Sequence, residues 1–257
     1  MPIPTGATDL AGRLADAAGE VIRRYFRTGA VEVIDKADDS PVTIADREAE
    51  GVMRGLIGAA FPDHGIFGEE YGVERPDAEF VWVLDPIDGT KSFISGVPLF
   101  GTLIALLHQG RPVLGILDQP ISRERWVGIE GRPTTLNGTP ISTRSCAAIA
   151  QATVFSTAPD MFHGADIAAF GRVSAAAKLT RFGSDCYAYG LLAAGFIDVV
   201  VEASLKPYDY CAHVPIITGA GGSLTDWQGQ PLGLASDGRI IACGDRHLAE
   251  SVRALLA

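Results

Sequence analysis

The stretch Leu84 to Phe93, LDPIDGTKSF, holds Asp85 and Asp88 three positions apart around a proline and follows them with Gly89-Thr90. Two carboxylates this close repel unless a proton or a cation lies between them. The Pro-Ile-Asp-Gly-Thr run is turn-forming and offers no helix face on which they can splay apart. Further acids stand at what read as element ends: Glu69 and Glu70 after HGIF, Asp46 at a helix start, and Asp209 after Lys206-Pro207-Tyr208. Carboxylate oxygens without His or Cys partners favour a hard cation, Mg²⁺ before Ca²⁺ or Zn²⁺. Mg²⁺ keeps several of its waters and takes substrate phosphate as a ligand, which makes phosphoryl chemistry the first expectation. Gly89 leaves backbone N–H groups open, and a helix beginning near Lys91 would turn its positive end toward an anion. Each acid also has a purely local reading. Asp46 and Asp209 suit the first turn of a helix, Glu69-Glu70 a solvated turn, and Asp85-Pro86 the stop of a strand. None of these accounts for Asp85 and Asp88 together.

The elements that must bring these acids together can be read from periodicity. Leu10, Leu14, Ala17, Ala18, Val21, Ile22 and Tyr25 recur at helical spacing, predicting an amphipathic helix that ends near Thr28-Gly29. A second helix is predicted from about Ile44 to Ile57, with Thr43 as its N-cap and Asp46 in its first turn. VWVL, GTLIALLH, PVLGILDQ and RWVGIE then read as short strands, so the first half is helices packed on a largely antiparallel sheet. Past Ile141 strands and helices alternate: ATVFST, a helix over about 163 to 178, KLTRFG, a helix over about 184 to 195, IDVVVEA, and a helix from about Asp209 to Ala220. A hairpin, SLTDWQGQPL into RIIACG, precedes the terminal helix RHLAESVRALLA. This is α/β character, α+β in the first half and α/β in the second. No repeat or low-complexity linker interrupts it, so residues 1–257 read as one catalytic unit with subdomains of about 1–140 and 141–257.

Composition narrows the partners. The 257 residues are 47% hydrophobic and 20% charged, enough for a substantial core. The formal net charge of −10 argues against a nucleic-acid backbone as partner, and no apolar run is long enough to span a membrane. The start MPIPTGATDLAGRL lacks the order of a signal peptide, so the expected location is the cytoplasm. Cys146, Cys186, Cys211 and Cys243 are widely spaced and read as free thiols in or near the core, not as a zinc or redox site. Asn137-Gly138 reads as a hairpin turn and not as a glycosylation site. The five histidines share no ligand spacing; His213 reads as a packed residue or as one that supports a ligand-bearing neighbour from behind, and none is taken as the catalytic base. Lys36, in the loop DKADDSP, is a candidate for neutralising charge near the acids, against the alternative of a solvated loop lysine.

GEE at 68 to 70, WVLDPIDGTKSF at 82 to 93 and YDYCAHVPIITGAGG at 208 to 222 together resemble the inositol monophosphatase family of Mg²⁺-dependent, lithium-sensitive phosphatases. The resemblance implies a layered αβαβα sandwich, usually a homodimer, acting on a small phosphorylated substrate. It also implies that Glu69, Asp85, Asp88 and Asp209 are metal ligands, with the backbone carbonyl of Ile87 completing the first site. Asp46 and Thr90 would orient the attacking water, with Asp46 accepting a proton directly or through Thr90, and Gly89 and Thr90 would hold phosphate through N–H groups. About two or three Mg²⁺ ions would then neutralise the phosphate dianion, activate water for in-line attack and stabilise the leaving alkoxide.

The departures from the family pattern bear on substrate. Lys91-Ser92-Phe93 stands where Thr-Asn-Phe is common, Tyr208-Asp209 where Trp-Asp is common, and Gly219-Ala220-Gly221-Gly222 where Glu-Ala-Gly-Gly is common. DGTKSF, GSDCYAYG at 183 to 190 and EASLKPYD at 202 to 209 resemble the histidinol-phosphate phosphatase branch, which implies L-histidinol phosphate as substrate, with inositol-1-phosphate the nearest alternative. A substrate bearing an ammonium suits a pocket wall with extra carboxylate. Glu202 lies seven residues before Asp209, where inositol phosphatases place a substrate-binding Glu, and would be free to meet that ammonium; the other reading is an exposed strand-end charge. Asp185 is a second candidate, against an ordinary helix start, and Arg181 a third, against a surface ion pair. No additional basic cluster marks a second phosphate site, which disfavours bisphosphate substrates. A catalytically silent binding module is the alternative from another class, and it would have no use for Asp46 and Thr90.

Overall fold

Along the strand Phe80–Asp88, Trp82 and Leu84 point to one face and Val81 and Val83 to the other, and all four are buried. A strand apolar on both faces must be covered on both. The computed structural model, which describes residues 3–28, 33–35 and 41–257, shows what covers it. On one side lie two helices, Ala7–Tyr25 and Ile44–Ala60, whose Leu10, Leu14, Ala18, Ala49 and Met53 pack with Trp82, Leu84, Ile104 and Ile116. On the other lie the helices Tyr187–Ala193, Pro207–Tyr210 and His213–Gly219, which are themselves covered by a second sheet. That sheet's outer face, with Val154, Val199, Val201 and Ile241, is closed by Ala165–Ala176 and Leu248–Leu256. The result is the expected αβαβα sandwich.

The first sheet has eight strands in the order Thr139–Pro140, Thr135–Leu136, Glu124–Ile129, Arg111–Gln119, Gly101–His108, Phe80–Asp88, Gly65–Gly68 and Gly72–Glu74. It is antiparallel except where Gly65–Gly68 runs parallel to Phe80–Asp88, a pairing that alternation alone could not reveal. The five-stranded second sheet, ordered Leu179–Phe182, Thr153–Ser156, Val199–Glu202, Ile240–Cys243, Ser223–Asp226, is parallel over its first three strands and antiparallel thereafter. Asn137 and Gly138 form the hairpin turn, both with positive φ (50° and 79°). The four cysteines are free and buried. Lys36 lies outside the described residues.

Two helices begin or break differently from the prediction. The helix expected from 184 starts only at Tyr187, because Asp185 sits at φ 42°, in the left-handed region that a helix cannot use. The helix expected over 209 to 220 is divided into Pro207–Tyr210 and His213–Gly219. Pro215 has no N–H to give to the carbonyl four residues earlier, at Cys211, so a continuous helix loses a bond there. The second piece lies directly on the first sheet at Gly115 and Gly128, where any Cβ would run into Ala212 O and the Ile216 N–H.

Candidate active site

In an undisturbed strand, residues three apart point to opposite faces, so Asp85 and Asp88 would diverge. Here the pairing with Gly101–His108 shifts register between Asp85↔Leu103 and Asp88↔Gly101, leaving one extra residue on the Asp85 side. That bulge turns Asp88 back toward Asp85. Thr102 fixes it by donating its hydroxyl to the Pro86 carbonyl at 2.8 Å. Asp209, three residues into the turn that opens at Lys206, completes a triangle: Asp85, Asp88 and Asp209 each offer an oxygen within 4.8 Å of the others.

Each of these acids is oriented by a backbone donor or left open. Asp88 Oδ2 accepts from the Cys186 N–H at 2.6 Å, and Asp209 Oδ2 from the Lys206 N–H at 2.6 Å. Asp85 is 1% exposed, and its Oδ1 has no partner among the described residues. Glu69, whose own N–H donates to Leu84 O at 3.2 Å, brings a further carboxyl within hydrogen-bonding reach of Asp85. Burial first, and then the neighbouring carboxylates Glu69, Asp88 and Asp209, push Asp85 well above the usual range. Asp88 is raised by burial, Asp209 and Asp185, and Asp209 to about 7 by burial with Glu69 and Glu202. An all-oxygen donor set, crowded enough to resist ionisation and with a buried oxygen unsatisfied, fits one or more hard divalent cations.

The two oxygens of Asp46 are treated differently. Its Oδ2 accepts from Thr43 N–H and Thr43 Oγ1 at 2.8 and 2.5 Å, closing the capping box of Ile44–Ala60, while its Oδ1 is buried and has no partner among the described residues. The helix-cap reading therefore explains one oxygen only. Burial, reinforced by Glu70 and Glu69, raises its pKa to about 7 against the opposing Thr43 bonds. Thr90 Oγ1 donates to the Ile87 carbonyl at 3.1 Å, so among the described residues its hydroxyl is joined to the Asp85–Asp88 bulge and not directly to Asp46.

Gly89 adopts φ 91° at the foot of the short helix Thr90–Ile94. A Cβ there would meet Asp185 at 2.9 Å, so glycine is required by both conformation and space. Asp185 Oδ2 in turn accepts from Ser92 Oγ at 2.5 Å, which places it over the Gly89 turn, while its carbonyl accepts from the Ala188 N–H at the start of the following helix.

Glu202 is 2% exposed, which excludes the strand-end surface charge, but the expectation of an unengaged carboxylate is also corrected. Its Oε1 accepts from Thr157 N–H and Oγ1 at 2.9 and 2.6 Å, and its Oε2 from Tyr189 OH at 2.7 Å. Tyr189 stacks on His213 (4.1 Å, 7°), whose two buried ring nitrogens have no partner and whose pKa falls to about 3 through burial. His213 is thus a neutral packed ring, as its sequence context suggested. Arg181 is exposed on the outermost strand of the second sheet, its guanidinium 5.6 Å from the Phe155 ring centroid. Among the described residues its contact is an aromatic face, and the surface ion pair considered from sequence does not appear.

Sequence reading passed over Glu50. It lies one turn after Asp46 on the same helix face, fully buried, and accepts from Arg54 and from the N–H groups of Glu70 and Tyr71. The available signal was a charged residue in register with buried Ala45, Ala49 and Met53.

The sequence matches the inositol monophosphatase family over residues 6–257. It is 52% identical over 244 residues to the bifunctional phosphatase IMPL2, chloroplastic, of Arabidopsis thaliana, covering 91% of this chain and 70% of that protein. It is 37% identical over 239 residues to a histidinol-phosphatase of Chlorobaculum parvum, covering 91% and 90%. Among solved structures it resembles an inositol monophosphatase from Zymomonas mobilis with a TM-score of 0.90, 49% identity and 99% coverage of both chains.

Proposed function

The chain belongs to the inositol monophosphatase family of phosphatases, and from that premise we propose that it hydrolyses L-histidinol phosphate to L-histidinol and phosphate in a Mg²⁺-dependent reaction. The observation that carries the substrate assignment is the Ser92 to Asp185 hydrogen bond at 2.5 Å. DGTKSF and GSDCYAYG, the separate runs that resemble the histidinol-phosphate phosphatase branch, meet there above the Gly89 turn. The similarity to a histidinol-phosphatase over most of both chains supports the same reading.

In this reading Glu69, Asp85, Asp88 and Asp209, with the Ile87 carbonyl, hold about two or three Mg²⁺ ions. When bound, such cations offset the charge of the phosphate dianion and acidify water. The N–H groups of Gly89 and Thr90 hold the phosphoryl oxygens, and the Thr90 hydroxyl helps to align the attacking water. Asp46 Oδ1, buried and unpartnered, accepts a proton from that water, while Thr43 holds Oδ2 and so fixes the carboxylate plane. Asp185 and Glu202 give the substrate side a negative field that favours an ammonium over a neutral polyol. Arg181, exposed and set over the Phe155 ring, is left outside the proposed substrate contacts. A homodimer and a cytoplasmic location belong to the same proposal; among the described residues no helix is long and apolar enough to cross a membrane.

The second reading is an inositol monophosphatase, favoured by the likeness to the Zymomonas mobilis enzyme. Both predict the same cation site, so substrate preference decides between them. Phosphate release should be compared at equal Mg²⁺ for histidinol phosphate, inositol-1-phosphate, a sugar bisphosphate and a nucleotide bisphosphate. The expected outcome is the highest kcat/KM on histidinol phosphate, and a strong preference for inositol-1-phosphate would overturn the substrate assignment.

A further inference from the structure

The turn that carries Glu69 joins Gly65–Gly68 to Gly72–Glu74, two strands paired through Gly68↔Gly72. Such a short connection leaves the N–H groups of Glu70 and Tyr71 turned away from the ladder, and in a part-buried setting they need acceptors. Both are met by one side chain from another element: Glu50 Oε2 accepts from Glu70 N–H at 2.7 Å, and Oε1 from Tyr71 N–H at 3.2 Å. Glu50 is itself clamped by Arg54 Nε at 2.7 Å. Arg54 also bonds Glu74 Oε1 at 2.7 Å and the Gly72 carbonyl, so its guanidinium ties the helix to the far side of the same turn. Gly68 permits this approach, since a Cβ there would collide with Glu50 Oε1.

We infer that Glu50 is a positioning residue for the cation site, fixing the Glu69 turn to the helix that also carries Asp46. Residues 46 and 50 are one turn apart on the buried face of Ile44–Ala60, so a single rigid element holds both the proton acceptor and the brace of Glu69. The brace needs a carboxylate. An anion presents acceptors alone to Arg54 and two N–H groups, whereas an amide would turn its NH₂ group against one of these donors. Loss of the brace frees Glu69 from its place beside Asp85, and cation binding weakens with little change elsewhere in the core.

This inference rests on the proposed cation site, and the test separates the two. Mg²⁺ binding is measured by isothermal titration calorimetry, and thermal unfolding by circular dichroism, for the wild-type chain, Glu50→Gln, Glu50→Asp and Leu14→Ala. Leu14 is a buried residue of the first helix, remote in sequence from the turn, and serves as a stability control. Glu50→Gln is expected to weaken Mg²⁺ binding by about tenfold or more, as removal of a group that orients a metal ligand typically does. Glu50→Asp, which keeps the charge but shortens its reach, is expected to fall between wild type and Glu50→Gln and serves as the test if the latter does not fold. Leu14→Ala is expected to lower the melting temperature with unchanged Mg²⁺ affinity. Unchanged Mg²⁺ affinity in the folded Glu50 variants, or an equal loss in Leu14→Ala, would overturn the positioning role. A wild-type chain that binds no Mg²⁺ would instead overturn the cation site.

Discussion

Asp85 and Glu202 are carboxylates at the ends of strands in different sheets, 1% and 2% exposed, yet their surroundings answer their charge in opposite ways. Glu202 is met from within: Thr157 gives it two hydrogen bonds and Tyr189 a third. Asp85 is met by more acids, Glu69, Asp88 and Asp209, and its Oδ1 has no donor among the described residues. A buried charge without a partner costs far more than one whose lone pairs are filled. The first sheet therefore supplies a site that positive charge from outside would complete, whereas the second supplies a charge the protein has already satisfied and can hold fixed.

The strongest way to break this contrast is Asp85→Asn. Neutralising one member of the cluster should lower kcat/KM on the order of a thousandfold, roughly 4 kcal/mol of transition-state stabilisation. In the same variant the metal-free protein should melt no lower than wild type, because the asparagine removes Asp85's own repulsion with Glu69, Asp88 and Asp209. A lowered metal-free melting temperature would show that Asp85 is satisfied internally after all. Asp46→Asn follows, with an expected loss on the order of a hundredfold in kcat, the scale of one general base.

Asp46 also gives a pH test with a definite sign. Its pKa is raised from 3.8 to about 7, so between those values the folded chain keeps a proton that the unfolded chain has lost. The stability this contributes is complete below 3.8 and is lost as pH rises through about 7. Metal-free wild-type protein should thus lose melting temperature across this window, and Asp46→Asn should lose less. Equal slopes in circular-dichroism melts would mean that Asp46 is not the buried acid that its geometry indicates.

The same contrast separates what is legible in the sequence from what only the fold creates. Asp85 and Asp88 stood out because their spacing and the intervening proline are local features. Their convergence was not legible, since it depends on a register shift against Gly101–His108 and on the Thr102 bond to Pro86. Asp46 was recognisable as a cap, but that one oxygen would remain orphaned is a property of tertiary packing. The layers followed from apolar periodicity, while the parallel pairing of Gly65–Gly68 and the division of the 207 to 219 helix did not, because pairing partners and Pro215's neighbours lie beyond a local window. The closing of Glu202 by Thr157, 45 residues away, was invisible for the same reason. Glu50 was missed because an acid in a helix is ordinarily solvated.

A milder probe works on the second sheet's side. Tyr189→Phe keeps the ring that stacks on His213 and deletes only the hydroxyl that donates to Glu202. Removing one hydrogen bond to a charged acceptor should destabilise the fold by about 1.5 kcal/mol in urea unfolding. It should also raise KM for histidinol phosphate severalfold with kcat nearly unchanged, because the chemistry resides in the other region. A fall in kcat as large as that of Asp46→Asn would erase the proposed division of labour.

The smallest effect is expected at Arg181, where the contrast can be sharpened into a boundary. The side chain is exposed on the outermost strand, Leu179–Phe182, with its guanidinium over the Phe155 ring. An exposed cation over an aromatic face contributes about 0.5–1 kcal/mol, and surface replacements generally stay near the lower end. Arg181→Ala should accordingly leave kcat and KM within about twofold and lower stability by about 0.5 kcal/mol, measured by steady-state phosphate release and urea unfolding. A tenfold rise in KM would correspond to about 1.4 kcal/mol of substrate binding, more than the aromatic contact explains. The substrate region would then extend from Glu202 across Thr153–Ser156 to the sheet edge, and the satisfied charge at Glu202 would be one wall of a wider pocket.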